Sequence, residues 1–278
     1  MRARYTFDTF NARLRRKIKR YVPSPILSRM EQKKRKNNDR YIAQLYNPGT
    51  PPWSSPNIWE EIVQFYQKRE NPVIFEYGTG LSSLWHFENL IKKEGGVFIG
   101  VETNPGWFWA LVGAMTVKAS QICATAVIEK SVIATGALSA TAIDVSIKTE
   151  NVQAILKLRT DAADYVAALD QTCDVVIIDG AYRRTCVNHI LETRHVTPGG
   201  LLMLMEAGRG APDWWEGKLY GEVDYSAEVE KLLALGGVLM DGNGLDSWPN
   251  NKKHSPKPVS YYYPMEACKL IYPMSEID

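Results

Sequence analysis

The chain has 278 residues, 45% of them hydrophobic and 23% charged, which is the composition of an ordinary globular protein. It contains no run of about 18 apolar residues, which excludes a predicted membrane-spanning helix, and its N-terminus lacks the apolar core of a secretory signal. Four scattered cysteines without metal-type spacing exclude a disulfide framework and favour a reducing compartment, so we expect a cytoplasmic protein.

Basic residues are concentrated at the N-terminus. Residues 1–40 contain 14 Lys and Arg against three acidic residues, a local charge of +11, although the whole chain carries only +2. The remaining residues therefore carry −9. A basic arm attached to an acidic body predicts an anionic partner for the arm.

Residues 1–22 have the pattern of a basic amphipathic helix, with apolar side chains every three or four residues and Arg and Lys between them. Three interpretations remain open. The helix packs on its own protein, lies on an anionic membrane surface at the inner membrane face, or binds nucleic acid. We assign residues 1–46 to a basic helical extension, residues 47–56 to a proline-rich linker, and residues 57–278 to the main domain.

Residues 73–83 predict a buried strand, a turn that contains Gly78 and Gly80, and the start of a helix. Glycines let a ligand approach the backbone, and free N–H groups at the helix start face it. In a parallel α/β sheet such a turn lies at the carboxyl edge, where ligands bind. Ser83 replaces the third glycine of a dinucleotide fingerprint, and the carboxylate of Glu76 would repel a pyrophosphate but suit a cationic ligand.

The segment Phe75-Glu76-Tyr77-Gly78-Thr79-Gly80 resembles motif I of class I S-adenosylmethionine-dependent methyltransferases. The frequent third glycine of that motif is Ser82 in this chain. S-adenosylmethionine carries a sulfonium and an ammonium but no phosphate, which suits an acidic turn. The alternative is a glycine turn that only links a strand to a helix. The resemblance implies S-adenosylmethionine as cofactor and S-adenosylhomocysteine as product. It also implies these binding residues, the last of which ends a later strand: Glu76, Tyr77, Gly78, Thr79, Gly80, Ser82 and Asp179.

Two further acidic residues follow predicted strands. Glu102 ends the strand at 97–101 and lies 22 residues after Gly80, the usual place for a carboxylate that accepts hydrogen bonds from both ribose hydroxyls of a nucleoside cofactor. Asp161 follows the strand at 152–158, and in methyltransferases an acid at this place often meets the adenine amino group. The alternatives are a surface acid at a strand end for Glu102 and a helix N-cap for Asp161.

The stretch between these two strands is less regular. Residues 107–118 predict a helix, whereas residues 119–150 are rich in Ala, Ser and Thr and predict an insertion or a cap. Alternation over residues 143–147 is compatible with a strand.

The second half of the main domain strengthens the resemblance, which covers roughly residues 56–275. It implies an α/β fold: a doubly wound, mostly parallel seven-stranded sheet with helices on both faces and an antiparallel last strand. The fourth strand is predicted at 174–179. A turn at 197–200 leads into the fifth strand at 201–205, and the two terminal strands are predicted at 238–240 and 267–272.

The residues after the fourth strand bear on the acceptor. Asp179-Gly180-Ala181-Tyr182 lacks the Asn/Asp-Pro-Pro-Tyr/Phe segment of enzymes that methylate amino groups of nucleic acids, and the chain lacks the Pro-Cys loop used for C5 methylation of pyrimidines. A hydroxyl oxygen of a small molecule or glycan remains as the acceptor. A general base would help to remove the hydroxyl proton, and the candidates for this catalytic role are Asp179 and His189. The alternative for His189 is a place in the interface between helix and sheet.

A divalent metal is a second way to activate the hydroxyl. Some small-molecule O-methyltransferases of this fold use an ion held by acids at these strand tips, and Asp179 and Glu206 would supply oxygen ligands that suit Mg²⁺. The second carboxylate expected beside Asp179 is missing, because Gly180 and Ala181 follow it. A metal is therefore not the favoured prediction.

The residues together predict an S-adenosylmethionine-dependent methyltransferase that acts on a hydroxyl oxygen. The alternatives are an RNA methyltransferase that uses the basic arm, and a non-catalytic scaffold that binds S-adenosylmethionine. A nicotinamide dehydrogenase is disfavoured by Glu76 and by the missing third glycine.

Overall fold

The computed structural model describes Leu45 and residues 56–122, 127–133, 142–207, 225–240 and 267–273. The chain divides into two compact units, residues 1–47 and 48–278. The predictions for the basic arm and the linker lie outside the described residues, apart from Leu45 and Pro56. The described helices and strands from residue 56 onward belong to the second unit.

This part of the second unit forms six helices and nine strands. The helices are α1 (Pro56–Gln67), α2 (Leu81–Lys93), α3 (Pro105–Ile122), α4 (Ala162–Val166), α5 (Arg183–Thr193) and α6 (Ser226–Ala234). The strands are β1 (Val73–Tyr77), β2 (Gly96–Glu102), β3 (Val127–Ile133), β4 (Ala142–Lys148), β5 (Val152–Arg159), β6 (Cys173–Ile178), β7 (Val196–Met205), β8 (Val238–Met240) and β9 (Ala267–Ile271). None of the described helices combines the length and the apolar character that crossing a membrane requires.

The nine strands belong to one sheet, in the order β3-β4-β5-β2-β1-β6-β7-β9-β8. The five central strands from β5 to β7 are parallel, and β9 pairs antiparallel with both β7 and β8. The central strands are nearly continuous apolar runs because helices cover both faces of the parallel part. The seven predicted strands, their mostly parallel arrangement and the antiparallel last strand are confirmed.

The predicted insertion or cap at residues 119–150 is instead an extension of the sheet. Helix α3 continues to Ile122, and β3 and β4 form an antiparallel hairpin beyond β5. Val145 and Ile147 are buried, and α3 packs on β4. An ion pair of 2.7 Å between Arg159 Nη1 and Asp144 Oδ1 joins β5 to β4. The sheet therefore has nine strands rather than seven.

The predicted turn at residues 197–200 lies inside strand β7. The pairing of β6 with β7 is irregular there, and Gly199 adopts a positive φ of 69°. Its N–H nevertheless donates to Tyr272 O at 3.0 Å, and Tyr272 N–H donates to Gly200 O at 2.7 Å. Strand pairing therefore continues through the kink.

The helices form two layers, one on each face of the sheet. Helices α1, α2 and α3 pack in succession on one face, and α4, α5 and α6 on the other. Alternate residues of β1 enter the two layers: Phe75 and Tyr77 pack with α4, α5 and α6, whereas Glu76 bonds to α2.

The connections leave β1 and β6 in opposite directions. Strand β1 continues through α2 to β2 on one side, and β6 continues through α5 to β7 on the other. Tyr77, at the end of β1, lies beside Val101 of β2 and Ile178 of β6, so the strands end at one edge. A crevice opens at such a reversal, and open α/β sheets bind ligands there.

Candidate active site

The chain after β1 and the chain after β6 touch backbone to backbone. Gly78 has a φ of 86° and donates its N–H to Val101 O at 3.0 Å, and Asp179 donates its N–H to Tyr77 O at 2.9 Å. A Cβ on Gly78 would lie 2.6 Å from Gly180 N, and a Cβ on Gly180 would lie 2.6 Å from Gly78 Cα. Both positions require glycine because neither has room for a side chain.

Glu76 is fully buried beside the glycine turn. The hydroxyls of Ser82 and Ser83, in the first turn of α2, donate hydrogen bonds of 2.5 Å to its two carboxylate oxygens. Ser83 Oγ also accepts from Gly80 N–H at 2.9 Å, so the carboxylate, the turn and the helix start form one network. Ser83 was not predicted as a site residue. Its spacing from Gly80 is that of an N3 side chain that reaches back to the N-cap.

Burial raises the pKa of Glu76 from its ordinary value of 4.5 to about 8. The hydrogen bonds from Ser82 and Ser83 lower this pKa, and the negative charges of Asp179 and Glu102 raise it. Burial is the largest of these effects. A cationic group placed beside Glu76 would favour its charged form, since an opposite charge lowers the pKa of a carboxyl.

Glu102, at the end of β2, lies against the glycine turn. Its Oε1 accepts from the N–H groups of Thr103 (2.7 Å) and Asn104 (2.8 Å), and its Oε2 is 3.5 Å from Thr79 Oγ1. Burial raises the pKa of this carboxyl, and the hydrogen bonds oppose that rise. The structure thus brings Glu102 to the turn, as predicted from its spacing. Its role toward ribose hydroxyls stays a prediction.

Trp107 forms a wall beside the turn. Its indole N–H donates to Thr79 O, and a Cβ on Gly80 would lie 3.5 Å from the indole ring. It belongs to the first turn of α3 and was not predicted as a site residue. No sequence signal distinguishes it from other apolar positions of the helix.

Asp161, after β5, is the N-cap of α4. Its Oδ1 accepts from Ala163 N–H at 2.8 Å and from Asp164 N–H at 3.4 Å, and the residue is exposed. The N-cap alternative therefore describes its contacts. The exposed side chain lies just after β5, the strand that neighbours β2 in the sheet. Its contact with the adenine amino group stays a prediction.

The side chain of Tyr77 points away from the turn. Its hydroxyl donates to Val166 O at 2.7 Å, in the layer formed by α4, α5 and α6. Only the backbone of Tyr77 is therefore at the turn, so the predicted contact of this residue with the cofactor would have to be made by its backbone. Tyr165 packs against Tyr77, and its buried hydroxyl, which has no hydrogen-bond partner among the described residues, contacts Gly180.

Asp179, at the end of β6, is joined to Glu206, at the end of β7, by an arginine. Arg183 Nη2 lies 2.9 Å from Asp179 Oδ1 and 3.0 Å from Glu206 Oε2. The two acids that could have supplied metal ligands are thus bridged by a guanidinium. Within the described residues, no group of three or more His, Cys, Asp and Glu could hold a metal ion.

The structure does not bring His189 to this edge. His189 lies about 9 Å along α5 from Arg183, as six helical residues require, and its ring is 6.0 Å from that of His195. His195 stands at the opposite edge, where its carbonyl accepts from Cys173 N–H at the start of β6. The predicted catalytic role of His189 beside Asp179 is corrected accordingly, because the helix carries it away from the strand tips.

No protein-family model and no curated protein matches the chain. Among solved structures, it is similar to the O-methyltransferase TomG from Streptomyces achromogenes in complex with SAM, at 12% identity and a TM-score of 0.44, covering 78% of this chain and 81% of that one. It is also similar to an O-methyltransferase from Bacillus cereus in complex with SAH, at 11% identity and a TM-score of 0.46, covering 84% and 90%. Cofactor-bound Rv0187 from MTB aligns at 13% identity with a TM-score of 0.46, covering 84% and 89%.

The glycine contact predicts a specific loss of stability. In Gly180→Ala, the new methyl group would overlap Tyr165 Oη and the backbone of Gly78, so we expect the free energy of unfolding to fall by about 3 kcal/mol. Chemical denaturation measures this change. Gly106→Ala is the matched control at the same sheet edge, because its methyl group would meet only Asn104 Oδ1 at 3.4 Å. Equal stability of the two variants would contradict the close contact.

The raised pKa of Glu76 predicts a pH-dependent stability. The native protein holds this proton up to about pH 8, whereas the unfolded chain releases it near 4.5. The stabilisation that the native protein gains from this proton is complete below pH 4.5. It is lost as pH rises to 8, and the free energy of unfolding falls by up to about 1.4 kcal/mol per pH unit. The measurement is the free energy of unfolding of wild type and Glu76→Gln between pH 5 and 9.

We expect the wild type to lose stability relative to Glu76→Gln until about pH 8, with no further divergence above it. Glu150→Gln, at an exposed position, is the control and is expected to follow the wild type. Parallel curves for wild type and Glu76→Gln would show that Glu76 has an ordinary pKa in the native protein.

Proposed function

We propose that the protein transfers a methyl group from S-adenosylmethionine to an acceptor. The observation that carries this proposal is a glycine turn paired with two acids at the reversal between β1 and β6. Glu76 is buried beside the turn, and Glu102 lies against it through Thr79. Acidic residues there favour a ligand with sulfonium and ammonium groups and disfavour a pyrophosphate.

The residues of the site fit this cofactor. Gly78 and Gly180 let the two backbone segments come together at the crevice, and Trp107 adds an aromatic surface beside Gly80. Glu102 Oε2 has only a 3.5 Å contact, so this carboxylate oxygen retains acceptor capacity for ribose hydroxyls. When bound, S-adenosylmethionine supplies an electrophilic methyl group.

We propose a hydroxyl oxygen of a small molecule or glycan as the acceptor. Asp179 is the carboxylate at the tip of β6, and Arg183 holds its Oδ1 at 2.9 Å. In this role Asp179 would accept the proton of the acceptor hydroxyl, while the bound cofactor would give up its methyl group by cleavage of the methyl–sulfur bond and leave as S-adenosylhomocysteine. Positioning of the acceptor oxygen in line with the methyl group supplies much of the acceleration in such a displacement.

Calorimetry tests cofactor binding. We expect the wild type to bind S-adenosylmethionine and S-adenosylhomocysteine, and Glu102→Gln to bind both about 10- to 100-fold more weakly, because a charged acceptor contributes about 1.5–3 kcal/mol to its hydrogen bonds. Glu150→Gln, which keeps the site intact, is expected to bind like the wild type.

The same titrations separate the competing functions. Absence of binding for both S-adenosyl ligands would overturn the proposal, and binding of NADH in their place would indicate a dehydrogenase. Binding of S-adenosylmethionine without methylation of any hydroxyl compound in a broad panel would favour a non-catalytic scaffold.

The charge of the N-terminal arm supports a second proposal, about where the protein works. We propose a cytoplasmic protein whose residues 1–22 contact an anionic membrane surface, because basic side chains alternate there with apolar ones at helical spacing. Each Lys or Arg near such a surface contributes about 1 kcal/mol. An RNA methyltransferase is the competing interpretation of the same charges.

Vesicle sedimentation of the full-length chain tests the arm. Replacement of six basic residues by Gln is expected to abolish binding to vesicles that contain phosphatidylserine. Replacement of the basic run at 33–36 is the control and should reduce binding less. Binding that neither replacement changes would refute the membrane role, and RNA binding with a steep salt dependence but no vesicle binding would favour the RNA alternative. The six residues are Arg13, Arg15, Arg16, Lys17, Lys19 and Arg20.

A further inference from the structure

The guanidinium of Arg183 lies between the ends of β6 and β7. Its Nη2 is 2.9 Å from Asp179 Oδ1, 3.1 Å from Asp179 O and 3.0 Å from Glu206 Oε2. One nitrogen thus contacts three oxygen atoms that belong to two strand tips. These oxygens are of the type that a hard divalent cation prefers.

A divalent cation and this guanidinium cannot share the position. The cation needs its oxygen ligands at about 2.0–2.6 Å, and the Nη2 atom already occupies the space between the two carboxylates. A dication brought to Asp179 or Glu206 would also lie within a few ångströms of the positive charge of Arg183, which repels it.

Several features hold Arg183 in place. Its side chain is only 17% exposed, and its Cζ is 6.0 Å from the ring of Tyr225, whose hydroxyl donates to Glu206 O at 2.5 Å. Burial opposes the charge of the guanidinium, but Glu206 and Asp179 outweigh burial and raise its pKa. Arg183 therefore carries a positive charge at neutral pH.

The backbone on both sides of the bridge is strained. Tyr182, which precedes Arg183, has a φ of 56°, and Glu206 has a φ of 58°, in the left-handed region that non-glycine residues rarely adopt. Each such conformation costs about 1–2 kcal/mol. Two strained residues that flank one ion bridge indicate that the surrounding structure fixes its geometry.

We infer that Arg183 is a positioning residue that takes the place of a divalent cation between Asp179 and Glu206. What Asp179 does there rests on the proposed methyl transfer, whereas the exclusion of a cation by Arg183 does not. A metal would lower the pKa of a bound hydroxyl and would chelate two adjacent oxygens of an acceptor. With an arginine in its place, Asp179 is the group to which the proposed function assigns the proton, and the acceptor needs a single hydroxyl rather than a chelating pair.

Titration with Mn²⁺, followed by electron paramagnetic resonance, tests this inference. We expect Arg183→Ala and Arg183→Met to bind Mn²⁺ about tenfold or more tightly than the wild type, because the repelling charge is removed. The gain should disappear when Asp179→Asn is added to Arg183→Ala. Arg184→Ala is the matched control, because this exposed neighbour on α5 pairs with Glu228 instead.

Circular dichroism and S-adenosylmethionine calorimetry accompany each variant. The inference is overturned if the wild type binds Mn²⁺ at a site that Asp179→Asn removes. It is equally overturned if folded Arg183 variants gain no Mn²⁺ site. If the wild type binds no Mn²⁺, the first case is decided without any variant. Failure of the wild type to bind S-adenosylmethionine would refute the proposed function and leave the Mn²⁺ result unaffected.

Discussion

The close approach of Gly78 and Gly180 is the constraint on which the site depends. Strands β1 and β6 are neighbours whose connections leave in opposite directions, so their ends border the crevice of the sheet. The two backbones lie so close together that neither glycine has room for a Cβ. This close approach brings the acids that adjoin the glycines to one place. The same contact lets Asp179 N–H bond to Tyr77 O, which fixes the tip of β6 against that of β1.

Electrostatics at this edge follows from burial. Glu76 is removed from water, and the hydroxyls of Ser82 and Ser83 compensate only part of the lost hydration, so its pKa rises. At the next strand tips, the guanidinium of Arg183 forms an ion pair with Asp179 and another with Glu206. A cation at the glycine turn would favour the charged form of Glu76, whereas at β6 and β7 the guanidinium of Arg183 already offsets one of the two carboxylate charges. The edge therefore suits a cationic ligand at the glycine turn.

The sequence predicted the core strands because buried parallel strands are continuous apolar runs with local boundaries. It also predicted the carboxyl-edge position of Glu102 from its spacing to Gly80. The alternation over residues 143–147 allowed for strand β4, but β3 and the hairpin that the two strands form were missed, because the exposed residues of β3 lack a buried face and an edge hairpin needs β5 as its template. Ser83 and Arg183 were missed as site residues because their partners lie on other elements.

The sequence alone determined the order of the seven core strands, the glycine turn and the acids that follow the strands, because these depend on local periodicity and on residue type. Only the tertiary structure decided which of these groups meet. It placed Arg183 between Asp179 and Glu206, carried His189 to the opposite edge, and turned the side chain of Tyr77 into the core. Those outcomes depend on helix direction and on the packing of elements distant in sequence, which a linear pattern does not encode.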